Sequence, residues 1–183
     1  MSTSRTITES ALALFYRQGF HASGVEQLSQ EAGVTKKTLY RHFPSKEHLV
    51  DASIQLRDEQ FMARLVAATE AVAIEDRPAA YIDFIADWVR EPDFHGCLFI
   101  NAAAEYSAEQ DAPHVLAKEH KERVISYLLK ICERAQLNSP QEVAQQLFLL
   151  GEGLIVASQV RGAADVTIQA ARQMAEWLIA KSH

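Results

Sequence analysis

The sequence predicts an all-α fold of about nine helices. Apolar residues recur at helical spacing along nearly the whole chain, and no stretch alternates long enough for a strand. The helical segments are separated by Gly, Pro and Ser/Thr/Asp signals of the kind that end and start helices. At 183 residues and 48% apolar content, the chain can bury a real core. The pattern divides into a three-helix head over residues 1–48 and a helical body over residues 49–183.

Taking the elements in order, the first helix is expected from Arg5 to Gln18. Ile7, Ala11, Leu14 and Phe15 share one face, and Gly19 supplies the left-handed cap. The second opens on Ser23-Gly24-Val25-Glu26, a capping-box pattern, and buries Val25, Leu28 and Ala32. Gly33 ends it, and Thr35 is placed to cap a short third helix whose inward face is Leu39 and Phe43. Pro44 stops that helix and Ser45 caps a long fourth. Further helices are expected over 77–91, 97–108 and 113–136. Another runs from the box Ser139-Pro140-Gln141-Glu142 to Arg161, and the last is capped by Asp165 and runs to Lys181.

Charge is unevenly distributed. The chain carries −6 overall, yet residues 1–48 hold six Lys/Arg against four Asp/Glu. Between Thr35 and Lys46 there are four basic residues and no acidic one. A basic head on an acidic body can engage nucleic acid locally, because counterion release depends on the phosphates actually contacted. No apolar run approaches the ~18 residues that cross a bilayer, and no export signal is evident, so a cytoplasmic protein without a membrane partner is expected. Cys97 and Cys132 lack metal-site spacing; no metal and no cofactor are expected.

Two short helices joined at Gly33, the second rich in Lys and Arg, read as a helix-turn-helix over about residues 25–43. The turn requires positive φ, which Gly33 tolerates, and Val34 can plug the space between the helices. The stretch that includes Gly19-Phe20, the continuous run from Gly24 to Phe43 and Ser45-Lys46-Glu47 resembles the tetracycline-repressor (TetR) family, closely over roughly residues 5–50. The resemblance implies a homodimeric repressor released from a palindromic double-stranded DNA operator by a small-molecule effector. By position it implies phosphate contacts from Thr35, Tyr40, His42 and Lys46. Lys36, Lys37, Thr38 and Arg41 then fall near base edges. Lys37 departs from a common pattern, which has Gly there.

The effector is unidentified. Candidates to line its pocket are Trp88, Asn101, Glu105, His120 and Tyr127, with Glu105 expected to pair with Arg123 or His120. An alternative is thiol-based sensing through Cys97, which follows Gly96 near an expected helix N-terminus; some TetR-like regulators with a similar Gly-Cys-Leu stretch sense electrophiles or oxidants this way. A helical thiol enzyme built on Cys97, His120 and Glu105 has no ordered nucleophile–base pair behind it, so no catalytic residue is assigned. The last two helices, about 140–161 and 165–181, carry apolar surface wide enough for a two-fold four-helix interface. Phe148, Gly151, Ile155, Met174, Trp177 and Leu178 are its candidates.

Overall fold

The computed structural model describes residues 2–182. Among them it contains nine α-helices: α1 Thr3–Gln18, α2 Val25–Glu31, α3 Lys36–His42, α4 Lys46–Glu70, α5 Arg77–Trp88, α6 Leu98–Glu105, α7 Ala112–Arg134, α8 Pro140–Arg161 and α9 Asp165–Ala180. A short 3-10 turn, Ile74–Asp76, precedes α5, and no strand occurs among the described residues. The all-α expectation holds. α5 stops at Trp88 because the chain tightens there: the amides of Arg90 and Glu91 bond the carbonyls three residues back. α6 ends at Glu105, three residues before its expected end.

The chain forms two compact units. Among the described residues, one contains 2–60 together with 98–120, and the other contains 61–97 and 121–182. In the first unit, Ile7, Leu14 and Phe15 of α1 are buried with Phe20, Leu28, Leu39, Leu49 and Ile54. The Phe15 and Phe20 rings lie 5.2 Å apart. Each fully buried Leu or Phe contributes roughly 1.5–3 kcal/mol, which is what holds the two very short helices α2 and α3 in shape.

Caps explain the boundaries, with three corrections. Thr35 caps α3 as expected, accepting the Thr38 amide at 3.1 Å, and Ser45 accepts the His48 amide at 3.4 Å. The Ser23–Glu26 box does not form. The N-cap of α2 is Gly24; the buried Ser23 hydroxyl instead donates to the Gly19 carbonyl at 2.7 Å, and Glu26 pairs with Lys36. The Ser139 box also fails. Ser139 sits at φ +52° in the left-handed region and makes no side-chain cap, although Pro140 does occupy the first turn of α8. Asp165 is the first residue of α9, whose N-cap is Ala164, and its carboxylate pairs with Arg90 at 2.6 Å.

In the second unit α5, α8 and α9 pack on one another. Phe61, Phe84 and Trp88 form an edge-to-face cluster with centroid separations of 5.3 and 5.4 Å. Gly151 of α8 faces Tyr81 of α5 so closely that a Cβ there would meet the ring's Cζ at 2.8 Å. The close helix approach expected at Gly151 is therefore made within the chain. Among the described residues α8 is the one helix long and apolar enough to cross a membrane by length and mean composition, although Gln145, Gln146, Glu152 and Gln159 interrupt its apolar runs. It has two apolar sides. One is buried through Val143, Leu147, Gly151, Leu154 and Ile155, and the other is exposed.

Gly151→Ala is expected to lower stability by about 1–3 kcal/mol through overpacking against Tyr81. Adding Tyr81→Phe, which removes the hydroxyl nearest the new methyl, recovers part of that loss. Urea unfolding of the single and double variants at one protein concentration measures both.

Candidate nucleic-acid interface

The turn between α2 and α3 is built as its sequence requires. Gly33 adopts φ +64°, and the Val34 amide bonds the Ser29 carbonyl at 2.9 Å, closing the turn. Leu39 is fully buried and Phe43 nearly so, which fixes the rotation of α3. Lys36, Lys37, Tyr40 and Arg41 are consequently exposed, and Thr38 and Lys46 are half-buried at the edges of this surface. Thr38 also shares its hydroxyl with Thr35 at 3.1 Å. His42 differs from the rest: it is half-buried, and its Nε2 is shut off from solvent with no hydrogen-bond partner. Its ring nitrogen is therefore not presented outward with the others.

The cations on α3 are not equivalent. Lys36 Nζ lies 3.0 Å from Glu26 on α2. Lys37 and Arg41 have no acidic partner among the described residues. Arg17 of α1 pairs with Glu31 of α2 at 2.7 Å, so the acid nearest the end of α2 is also occupied.

The turn leading from α1 into this head is held from α6, in the same unit. Glu105 Oε1 accepts the Phe20 amide at 3.0 Å; Oε2 accepts the His21 amide at 2.7 Å and lies 2.9 Å from the His21 Nδ1. Tyr106 packs on both neighbours, 5.9 Å from the Phe20 ring and 4.8 Å from the His21 ring. Burial raises the Glu105 carboxyl, but the two amides and the His21 ring outweigh it and hold it below the usual carboxylate range. The expected pairing of Glu105 with Arg123 or His120 is thus replaced. The carboxylate satisfies amides left free past the end of α1, and His120 has its own acid.

His120 is buried, with Nδ1 2.7 Å from Asp58 and its ring stacked on Phe99 at 3.5 Å. Asn101 is half-buried on α6. In the second unit Trp88 is buried edge-on against Phe61 and Phe94 and forms a packed aromatic core rather than an open wall. The half-buried Tyr127 shares its hydroxyl with Thr69. Cys97 is buried, and Lys121 Nζ sits 3.4 Å from its sulfur and 2.7 Å from Glu152. Sequence reasoning missed Asp58, Lys121 and Glu152. Asp58 and Lys121 are charged residues within helices, and spacing alone does not distinguish them from solvent-facing ones.

On the outer side of α8 and α9, Leu149, Val156, Val160, Val166, Met174 and Trp177 are exposed. Between the two helices runs an apolar groove of about 550 Å³ lined by Leu149, Leu150, Gly153, Ala170, Met174 and Leu178 among others. Gly151 and Ile155, expected on an interface, face the chain's own core, and Phe148 is half-buried. The cause is helix rotation: the buried row fixes 147, 151, 154 and 155 inward, which turns 149, 153, 156 and 160 outward.

Residues 7–53 match the family described as bacterial regulatory proteins, tetR family. The whole chain superposes on SCO4454, a TetR-family transcriptional regulator from Streptomyces coelicolor, with a TM-score of 0.90 and 26% identity, covering 100% of this chain and 97% of that one. Residues 7–53 are thus similar to the tetR-family regulatory segment, and the whole chain has the fold of a TetR-family regulator. It is similar to the HTH-type transcriptional regulator YjdC of Escherichia coli, 25% identical over 159 residues, covering 85% of this chain and 83% of the relative. It is also similar to the HTH-type transcriptional repressor ComR of E. coli, 29% identical over 132 residues, covering 69% of this chain and 62% of that protein. By these likenesses the chain is a helix-turn-helix transcriptional regulator, and the relatives it matches are regulators rather than enzymes. Regulators of the family bind DNA operators and act as dimers.

The Glu105 bonds yield a pH-dependent expectation. A carboxyl depressed in the folded state adds stability that is fully present above its unfolded pKa, roughly 4.3, and is lost as pH falls through the lower folded value. The stability gap between the parent chain and Glu105→Gln is therefore constant near neutrality and narrows below about pH 4. Chemical unfolding from pH 3 to 7 measures it.

Proposed function

We propose that the chain is a homodimeric repressor that binds a palindromic operator and is released by a small-molecule effector. In this reading residues 1–48 are the DNA-binding domain and residues 49–183 the effector and dimerisation domain. Thr35, Lys36, Lys37, Thr38, Tyr40, Arg41 and Lys46 meet the DNA. His42 contributes only if its ring swings outward. The two-fold interface forms from the outer face of α8 and α9, through Leu149, Val156, Met174 and Trp177. Two copies of α3 then enter successive major grooves about 34 Å apart.

The observation that carries effector control is the Glu105 clamp. A carboxylate at the end of α6 grips two backbone amides immediately before the helix-turn-helix. Any molecule bound beside α6, near Asn101, that shifts this end moves the head with it. Operator affinity then falls, and by linkage operator DNA weakens effector binding by the same factor.

A second reading has one observation in its favour. Lys121 Nζ lies 3.4 Å from the Cys97 sulfur and 2.7 Å from Glu152, so this thiol is tied into a charged contact that its oxidation or alkylation would break. Operator release by an oxidant, lost in Cys97→Ser, supports this reading; undiminished release dismisses it.

The dimeric reading predicts a concentration-dependent dimer in sedimentation and operator binding that weakens steeply with salt. Met174→Glu combined with Trp177→Glu shifts the chain to monomer and lowers operator affinity at least tenfold. A parent chain that sediments as a monomer at tens of micromolar overturns it.

A further inference from the structure

The three outward cations of α3 differ in what they have left to offer. Lys36 is balanced by Glu26 at 3.0 Å, so this corner of the head is close to neutral. A carboxylate beside it opposes the approach of electron-rich atoms and phosphates alike. Lys37 and Arg41 have no such counterweight among the described residues, and both are exposed. Four residues apart, they leave α3 on the same face with Cβ atoms about 6 Å apart. The exposed Tyr40 stands beside Arg41 on the same surface.

Both side chains are donors only: the ammonium carries three N–H groups and the guanidinium five, and neither accepts. In the major groove guanine is the base whose edge shows two acceptors, O6 and N7. Adenine replaces one acceptor with an N–H donor, and cytosine shows a donor alone. A donor-only pair therefore selects guanine: at adenine and cytosine a donor faces a donor, and thymine offers a single acceptor, O4, beside its methyl group. Base pairs rise by about 3.4 Å along the duplex, so a 6 Å separation spans about two steps.

We propose that Lys37 and Arg41 set the sequence specificity of this regulator by reading two guanines no more than two base-pair steps apart in each half-site, and that Lys36 does not contribute to base choice. The proposal rests on α3 being the helix that enters the major groove.

The test is selection of binding sites by the full-length chain from a randomised duplex pool at fixed salt. Affinities are then measured for the selected site, for each guanine-to-adenine change and for scrambled DNA. The parent chain is expected to lose about 5- to 150-fold at each changed guanine. Lys37→Ala and Arg41→Ala each become indifferent to one of the two guanines. Arg41→Lys keeps its affinity for scrambled DNA within about twofold, because the charge remains, yet loses most of its discrimination, because the fork is gone. Lys36→Ala leaves base preference unchanged. The side chains changed are exposed, so coincident unfolding curves verify that each variant is folded. The proposal is overturned if the selected sites lack the paired guanines. It is also overturned if the alanine variants lose the same factor on selected and scrambled DNA, the behaviour of phosphate contacts, or if Lys36→Ala shifts base preference. A folded parent chain with no salt-dependent DNA binding at all would instead refute the DNA-binding reading beneath it.

Discussion

The Glu105 carboxylate connects parts of the chain 84 and 85 residues apart. Past the end of a helix, backbone amides must find partners, and at the turn after α1 two of them point at one side chain. Two bonds to an ionised acceptor are stronger than two neutral ones and fix direction as well as distance. The turn they hold is followed at once by α2 and α3, helices of seven residues each that have little stability of their own. Their orientation is inherited from what they pack on and from the turn that feeds them. Phe20, buried beside the clamp, and Leu28 and Leu39 beyond it complete that inheritance.

Much of the head is legible in the sequence. Gly33, Thr35, Leu39 and Phe43 act locally: a positive φ, a cap within three residues and an inward pair on one helical turn. Local requirements leave local signatures. The capping boxes at Ser23 and Ser139 show where this logic fails. Both have the right letters, but in each the hydroxyl or the backbone was drawn into a different arrangement by neighbours: Gly19 in one case, the left-handed turn before Pro140 in the other.

The body was less legible. Its partners are set by helix rotation and by long-range pairing, which spacing does not encode. Glu105 lies on an apolar helix and reads as a pocket residue, yet its bonds go to the head. On α8 nearly every face is apolar, so the sequence offers no reason to prefer 151 and 155 over 149 and 156 for the outside. The buried row of Leu147, Gly151, Leu154 and Ile155 decides it, with Gly151 fitted against Tyr81. The acid beside His120 comes from α4, 62 residues earlier, and nothing at either position marks the pair.

The exposed apolar rows of α8 and α9 have a consequence for how much protein a cell must hold. On the proposed two-fold interface, which covers these rows, pairing adds to the stability of the fold, so stability follows the concentration of the chain itself. A chain present in few copies is then both less often paired and less well protected against degradation. The response of such a switch to its own abundance is steeper than first order, and doubling its expression more than doubles the amount of protein competent to occupy an operator.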